Sequence, residues 1–122
     1  MDVLLERIPA LIAKLENVMR RPQIYIGKIE SKSLEHYLQG FRDAAHLFAY
    51  MKYWEKYLRI VEKVAYDRGW PGSLDFVKEI RTRGLSEKEI IEEMLAVEIE
   101  SWKRLDTLIS GNESDSISLA RK

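Results

Sequence analysis

Three side chains, His36, Asp43 and His46, come closest in type and spacing to a metal site. At 100° per residue His36 and Asp43 fall almost together on a helix, and His46 lies one turn beyond Asp43. An aspartate and a histidine three residues apart can both bind one metal ion. A third strong ligand at helical spacing is missing, so the pattern favours ordinary surface or packing histidines. We therefore expect no metal and no other cofactor.

Glu98 is the acidic residue that lies on an otherwise apolar helix stripe. Most other acidic residues lie beside lysines and arginines on helix faces, which is typical of solvating charge. Because an unpaired buried carboxylate costs several kcal/mol, Glu98 predicts a basic partner, either Arg20, Arg21 or another group in the interior. A small enzyme or metal-binding protein that uses His36, Asp43 or Glu98 is our second hypothesis. Without a serine-nucleophile motif or a phosphate-binding loop, a non-catalytic protein is favoured over it.

A third hypothesis is nucleic-acid binding by one basic helix face that tyrosines flank. Its members are Lys52, Lys56, Arg59 and Lys63. Glu55 and Glu62 lie on the same face. A helix face with four basic and two acidic side chains is usually an ordinary solvated surface. A nucleic-acid partner is therefore not favoured.

The composition gives no global electrostatic signal. The 122 residues include 20 lysines and arginines and 20 aspartates and glutamates, so any charged ligand must be recognised locally. The chain has no cysteine, which fits a reducing compartment. Its first residues lack a signal-peptide pattern, and no window approaches 18 uninterrupted apolar residues. We expect a soluble, cytoplasmic protein without a membrane partner.

Apolar residues recur at spacings of three and four along most of the chain, which predicts an all-α, single-domain bundle of about five helices. The predicted helices cover about residues 9–19, 33–50, 50–66, 73–83 and 86–110. Pro9 favours a helix start near itself over a bend in a longer helix. A break near Tyr50 is favoured over one long helix through residues 33–67. The domain covers residues 1–110, Gly111 ends the last helix, and residues 111–122 are expected to form a flexible tail.

An irregular connector near residues 20–33 interrupts this pattern. Pro22 lacks a backbone N–H and pushes Arg21 towards extended geometry, so the first helix should stop there. Residues 23–26 then read as a short extended segment, and Gly27 can take a positive φ. We predict that Tyr25 packs inward and that Arg20 or Arg21 bonds to helix-end carbonyls. Arg20, Arg21, Pro22, Tyr25 and Gly27 thus form a structural motif.

The segment Arg21-Pro22-Gln23-Ile24-Tyr25-Ile26-Gly27 resembles an RPx[IM]Y[IL]G motif, and the serine, the leucine and the Leu-x-Gly-Phe segment that follow it extend the resemblance. The motif occurs in small, mostly uncharacterised bacterial proteins, some of which are similar to toxin-immunity proteins. The resemblance covers about residues 18 to 45. It implies that the chain inhibits a partner protein by binding it. Because immunity proteins against nucleases are commonly acidic, the neutral charge of this chain argues against a nuclease as the partner.

The helix of residues 50–66 carries an apolar arc of about 180°, wider than the roughly 100° that contact with one core requires. Either this helix is central and touches neighbours on two sides, which we favour, or one edge of the arc is an interface. That edge is formed by Tyr53, Tyr57 and Ile60, and tyrosine suits interfaces because it combines area with a polar tip. On both views Trp54 belongs to the core. The main hypothesis is therefore a non-catalytic protein-binding protein, with a second copy of the chain as an alternative partner.

Overall fold

The computed structural model describes the backbone of residues 3–46 and 51–121 and the side chains of residues 8–46 and 52–111. In this described part of the chain it confirms an all-α bundle, with six α-helices where the sequence predicted about five. These are α1 Val3–Arg20, α2 Pro22–Ile26, α3 Ser31–Ala45, α4 Trp54–Asp67, α5 Phe76–Thr82 and α6 Glu87–Arg121. A single 3₁₀ turn, Met51–Tyr53, precedes α4. The additional helix is α2, which lies within the predicted connector.

Helix α6 is the centre of the bundle. The helices α1 and α4 pack on it most extensively, and α3 and α5 also contact it. Its buried residues occupy several sides of the helix: Ile90, Ile91, Met94, Leu95, Val97, Glu98, Ile99, Ser101, Trp102, Leu105 and Ile109. A helix that is buried on one stripe only lies at a surface, whereas one that is buried on several sides lies inside. The prediction that the helix of residues 50–66 is the central one was therefore wrong.

Helix α1 begins earlier than predicted, at Val3, and contains Pro9 in its interior. Because Pro9 lies in the second turn, it removes a single hydrogen bond, the one to the carbonyl of Leu5. The core-facing residues Ile8, Leu15 and Val18 are fully buried, so burial on α6 offsets this loss.

The elbow, residues 20–30, joins α1 to α3 through the short helix α2. Arg21 has φ −138° and ψ 63°, outside the helical region, as expected before a proline. Residues 23–26 were predicted to be extended, but they are helical because Pro22 occupies the first position of α2, where its fixed φ favours a helix. Gly27 ends α2 with φ 73°, and its N–H donates to the carbonyl oxygen of Gln23 at 3.2 Å.

The first turn of α3 is stabilised from across the bundle and not by its own serines. The backbone N–H of Ser31 donates to a carboxylate oxygen of Glu87 at 2.9 Å. Arg81 of α5 donates to the buried Ser31 hydroxyl oxygen at 2.9 and 3.2 Å and forms an ion pair with Glu35. Side chains of α3, α5 and α6 therefore meet at Ser31.

Helix α4 has a described start and end. The α-helical run is interrupted by the 3₁₀ turn before Trp54, which agrees with two helices over residues 33–67; the predicted break at Tyr50 itself lies outside the described residues. At the other end Gly69 has φ 90°, and the Trp70 N–H donates to the Ala65 carbonyl oxygen at 2.9 Å. This is a Schellman motif, and it explains why residues 68–72 stop the helix.

Helix α6 starts at the predicted capping box. The Ser86 N–H donates to Glu89 at 2.9 Å, and the Glu89 N–H donates to the Ser86 hydroxyl at 3.1 Å. Its predicted end at Gly111 was wrong, since the helix continues to Arg121. Gly69 ends a helix because it adopts a positive φ, whereas Gly111 does not and only lowers helix propensity by about 1 kcal/mol. The flexibility of residues 111–122 stays a prediction.

Candidate functional site

The elbow carries two of the four large apolar side chains that are most exposed among the described residues. Ile24 is 63% exposed and Ile29 is 40% exposed. The other two, Tyr66 and Leu74, lie at the end of α4 and in the loop before α5. Single exposed apolar side chains are ordinary, but a contiguous apolar area marks a contact surface. Whether Ile24 and Ile29 belong to a contact surface therefore depends on the residues around them.

An open groove of about 520 Å³ lies between the elbow and α6. Its apolar lining consists of Met19, Pro22, Ile29, Ile91 and Leu95. Its polar lining consists of Arg20, Gln23, Lys88 and Glu92, all of them exposed. An apolar centre with a polar rim is the arrangement of surfaces that bind other proteins.

A second hollow of about 350 Å³ adjoins this groove, and Arg20 lines both. Arg21, Ile24 and Tyr25 also line the hollow. Tyr25 is half-buried against the core, with its ring edge-on to Tyr37 at a centroid distance of 6.2 Å. Arg20 donates to the side-chain oxygen of Asn17, where we had predicted a helix-end carbonyl. Pro22, Tyr25 and Gly27 therefore shape the elbow, while the two arginines and Ile24 face its surface.

Glu98 is fully buried and accepts hydrogen bonds on both carboxylate oxygens. Arg42 Nε donates to Oε1 at 2.9 Å, and the Arg42 guanidinium also forms an ion pair with Glu98. Oε2 accepts two hydrogen bonds. The Tyr57 hydroxyl donates to it at 2.5 Å, and Trp102 Nε1–H donates to it at 2.9 Å. The predicted basic partner exists, but it is Arg42 and not Arg20 or Arg21. A carboxylate held by three donor side chains serves to join α3, α4 and α6.

Burial and charge act together on the partners of Glu98. Burial alone lowers the pKa of the Arg42 guanidinium, but the Glu98 carboxylate and the Tyr57 hydroxyl outweigh it, so the pKa of Arg42 is raised above its ordinary value. Burial and then the negative charge of Glu98 raise the pKa of Tyr57 well above its ordinary value. Both shifts favour a charged Arg42 and a neutral Tyr57 at neutral pH.

Tyr57 is expected to make the fold sensitive to alkaline pH. Because the folded-state pKa is raised, its contribution to stability is complete below the unfolded-state pKa of about 10 and is lost as the pH rises towards the folded-state value. Urea denaturation of the parent and of Tyr57→Phe at pH 8 to 11.5 measures the free energy of unfolding. Between these pH values it should fall less in the variant than in the parent. Tyr66→Phe, at an exposed ring, is the control. Equal alkaline losses in the parent and both variants would contradict this prediction.

A cleft of about 400 Å³ between α3 and α5 is the other sizeable hollow that concerns the predicted chemistry. His36 lines it, together with Arg42, Lys78 and Arg81. The positive charges of Arg42 and Arg81 are already paired with Glu98 and Glu35. The cleft therefore offers little uncompensated charge to a ligand.

The three side chains weighed as possible metal ligands, His36, Asp43 and His46, do not come together as a ligand set in the described part of the structure. His46 stacks on Trp54, with ring centroids 4.5 Å apart and planes 13° apart. Asp43 accepts from Gln39 at 2.9 Å. Within the described part of the chain, no group of three or more histidine, aspartate or glutamate side chains could hold a metal ion.

The predicted basic face of α4 is partly neutralised by its own helix. Arg59 pairs with Glu62 at 2.8 Å, and Lys63 pairs with Asp67 at 3.0 Å. Lys52 lies over the ring of Tyr53, 5.4 Å from its centroid. These exposed pairs are typical of a solvated surface.

The predicted interface edge on α4 is divided by burial. Tyr57 is only 1% exposed and bonds to Glu98, so it belongs to the core and is not available to a partner. Tyr53 and Ile60 are half-buried against that core. Trp54, predicted to be core, is also half-buried and stacks on Tyr57 at 5.1 Å. These described residues therefore do not form a continuous exposed apolar edge.

Sequence reasoning missed two features, and a signal existed for one of them. Arg42 lies four residues after Leu38 and three before Ala45, both buried, so it falls on the buried stripe of α3 just as Glu98 falls on that of α6. Two opposite charges on two apolar stripes predict a pair. The groove had no such signal, because no pair of residues in the elbow and on α6 indicates by type and position that the two segments meet.

No protein-family model, no curated protein and no solved structure matches this chain. Among the described residues, no helix is long and apolar enough to cross a membrane.

Proposed function

We propose that this chain is a non-catalytic protein-binding protein whose binding surface is the elbow together with the adjoining groove on α6. The observation that carries the proposal is the placement of Ile24 and Ile29, both exposed, beside an apolar groove with a charged rim. Burying a fully exposed isoleucine against a partner supplies about 1.5–3 kcal/mol, and Ile24 and Ile29 supply the part of it that corresponds to their exposed fractions. The surface proposed from sequence alone, on α4, lacks this property because Tyr57 is buried.

The finer proposal is immunity-like inhibition, in which the chain binds and blocks a partner protein in the cytoplasm. The RPx[IM]Y[IL]G motif supports it, since Arg21, Pro22, Ile24 and Gly27 of that motif build the elbow. The lack of cysteine fits a reducing compartment. An enzyme using His36, Asp43 or Glu98 is less well supported, because Glu98 is held by three donors and His36 and Asp43 make no joint site among the described residues.

The test is affinity capture from the source cells with the full chain and two double variants, followed by mass spectrometry. Ile24→Ser with Ile29→Ser removes the elbow side chains, and Tyr66→Ser with Leu74→Ser removes the other exposed apolar side chains as a matched control. We expect one dominant partner in about equal amount with the parent and the control, and at least a tenfold loss with the elbow variant.

Circular dichroism should show the same helix content in all three proteins. Capture that is unchanged by the elbow variant, or reduced as much by the control, would reject the elbow as the binding surface. For the immunity-like proposal, expression of the captured partner alone should arrest growth, and coexpression of this chain should restore it. Growth that does not depend on this chain would reject inhibition while leaving binding intact.

A further inference from the structure

The arginines of the elbow differ from the other described arginines in their partners. Residues 8–46 and 52–111 contain eight arginines. Six of them form an ion pair with a carboxylate: Arg42, Arg59, Arg68, Arg81, Arg83 and Arg104. The remaining two, Arg20 and Arg21, are both exposed and pair with no carboxylate of the described residues. Among the arginines of residues 8–46 and 52–111, the two without a carboxylate partner are thus neighbours at the elbow.

The charge around the groove is locally positive although the whole chain is neutral. Arg20, Arg21 and Lys88 line the groove and the adjoining hollow, and Glu92 is the one acidic residue in either lining. Lys88 and Glu92 also lack an ion-pair partner among the described side chains. An electropositive rim around an apolar floor is complementary to a ligand that carries both carboxylates and apolar side chains.

Building on the protein-binding function proposed above, we infer that the elbow recognises an acidic amphipathic segment of its partner. Apolar side chains of that segment occupy the groove against Pro22, Ile29 and Ile91, and carboxylates bind Arg20 and Arg21. The guanidinium group matches a carboxylate with two parallel N–H donors, which fixes direction as well as charge. A nucleic acid could bind the same arginines through phosphate, but it has no aliphatic side chains for the apolar floor.

The test uses a display library of random 12-residue peptides selected on the immobilised full chain. We expect the selected peptides to be at least twofold richer in aspartate and glutamate than the starting library, with the acids within a few residues of leucine, isoleucine or phenylalanine. The strongest peptide is then titrated by fluorescence polarisation. Arg20→Gln with Arg21→Gln should weaken the binding of this peptide by up to about fivefold for each arginine removed, since an exposed charge pair contributes up to about that factor.

The matched control is Arg59→Gln with Lys63→Gln, which removes the same charge from the exposed face of α4. It should leave the peptide affinity within twofold. The inference is overturned if the library yields no peptide or yields peptides without acidic enrichment. It is also overturned if the strongest peptide binds the parent and the Arg20→Gln, Arg21→Gln variant equally well. A 12-residue oligothymidine that binds through Arg20 and Arg21 more tightly than any peptide would overturn it as well.

The failures of the two proposals can be told apart. If peptide binding depends on Ile24 and Ile29 but not on Arg20 and Arg21, the protein-binding surface stands and its acidic specificity is rejected. If peptide binding depends on neither pair, the inference falls, and the affinity capture with the isoleucine variants separately decides the proposed function.

Discussion

Glu98→Gln is expected to lower the free energy of unfolding by about 3–5 kcal/mol, because breaking a buried ion pair leaves the other charge uncompensated. The glutamine amide keeps the shape of the side chain but places an N–H₂ group where both carboxylate oxygens accept from Arg42, Tyr57 and Trp102. At least one donor then faces another donor. Urea denaturation followed by circular dichroism measures the loss.

Glu100→Gln is the control on the same helix, since Glu100 pairs with Arg104 at the surface at 3.1 Å. Its loss should be at most about 1 kcal/mol. Arg42→Met combined with Glu98→Leu should be more stable than Glu98→Gln, because removing both charges leaves none unpaired. The buried pair is not a major constraint on the fold if Glu98→Gln and Glu100→Gln have the same small effect.

Trp102→Ala is expected to destabilise the protein by about 3–5 kcal/mol. The indole is fully buried, lies 4.8 Å from the Tyr57 ring centroid and 6.3 Å from that of Phe41, and donates to Glu98. Truncation removes these contacts and leaves a cavity in the centre of the bundle. Denaturant unfolding curves, fitted with a common dependence on urea concentration, give the difference.

Trp102→Phe separates packing from hydrogen bonding at the same position. It keeps a large ring but removes the Nε1–H donor, so we expect a smaller loss of about 1–3 kcal/mol. A Trp102→Ala loss below that of Trp102→Phe would mean that ring packing contributes little here and would reject the prediction.

The spacing of apolar residues was sufficient to predict the fold class but not to predict which helix lies at the centre of the bundle. Periodicity at three and four identifies the core faces of α1, α3, α4 and α6, because a helix at a surface must bury one stripe. It does not rank the helices. The apolar arc of α4 is wide because it includes the half-buried Tyr53, Leu58 and Ile60 near its margins, whereas α6 is buried on several sides. How deeply a residue at the margin of an apolar arc is buried depends on the neighbouring helices, and residue spacing does not predict where those helices lie.

The candidate surface shows the same limit. Local chemistry at Pro22 and Gly27 predicts that the first helix stops before Pro22 and that Gly27 takes a positive φ, and the structure has both. The same residues permit either an extended segment or one helical turn between them, and this choice decides that Ile24 is exposed. The groove also needs Ile91 and Leu95 of α6, so it exists only after the distant parts of the chain have packed.

The position of the central helix along the chain has a consequence for synthesis. Glu98 is 56 residues after Arg42 and 41 after Tyr57, and α1, the first helix, packs on α6, the last. On the ribosome, α1, α3 and α4 emerge before the helix that covers them. At about 5–20 residues per second, the part of α6 up to Ile109 takes about 1–5 s to translate. During that interval the nascent chain exposes apolar faces, so we expect chaperones to bind it until Trp102 and Leu105 have emerged.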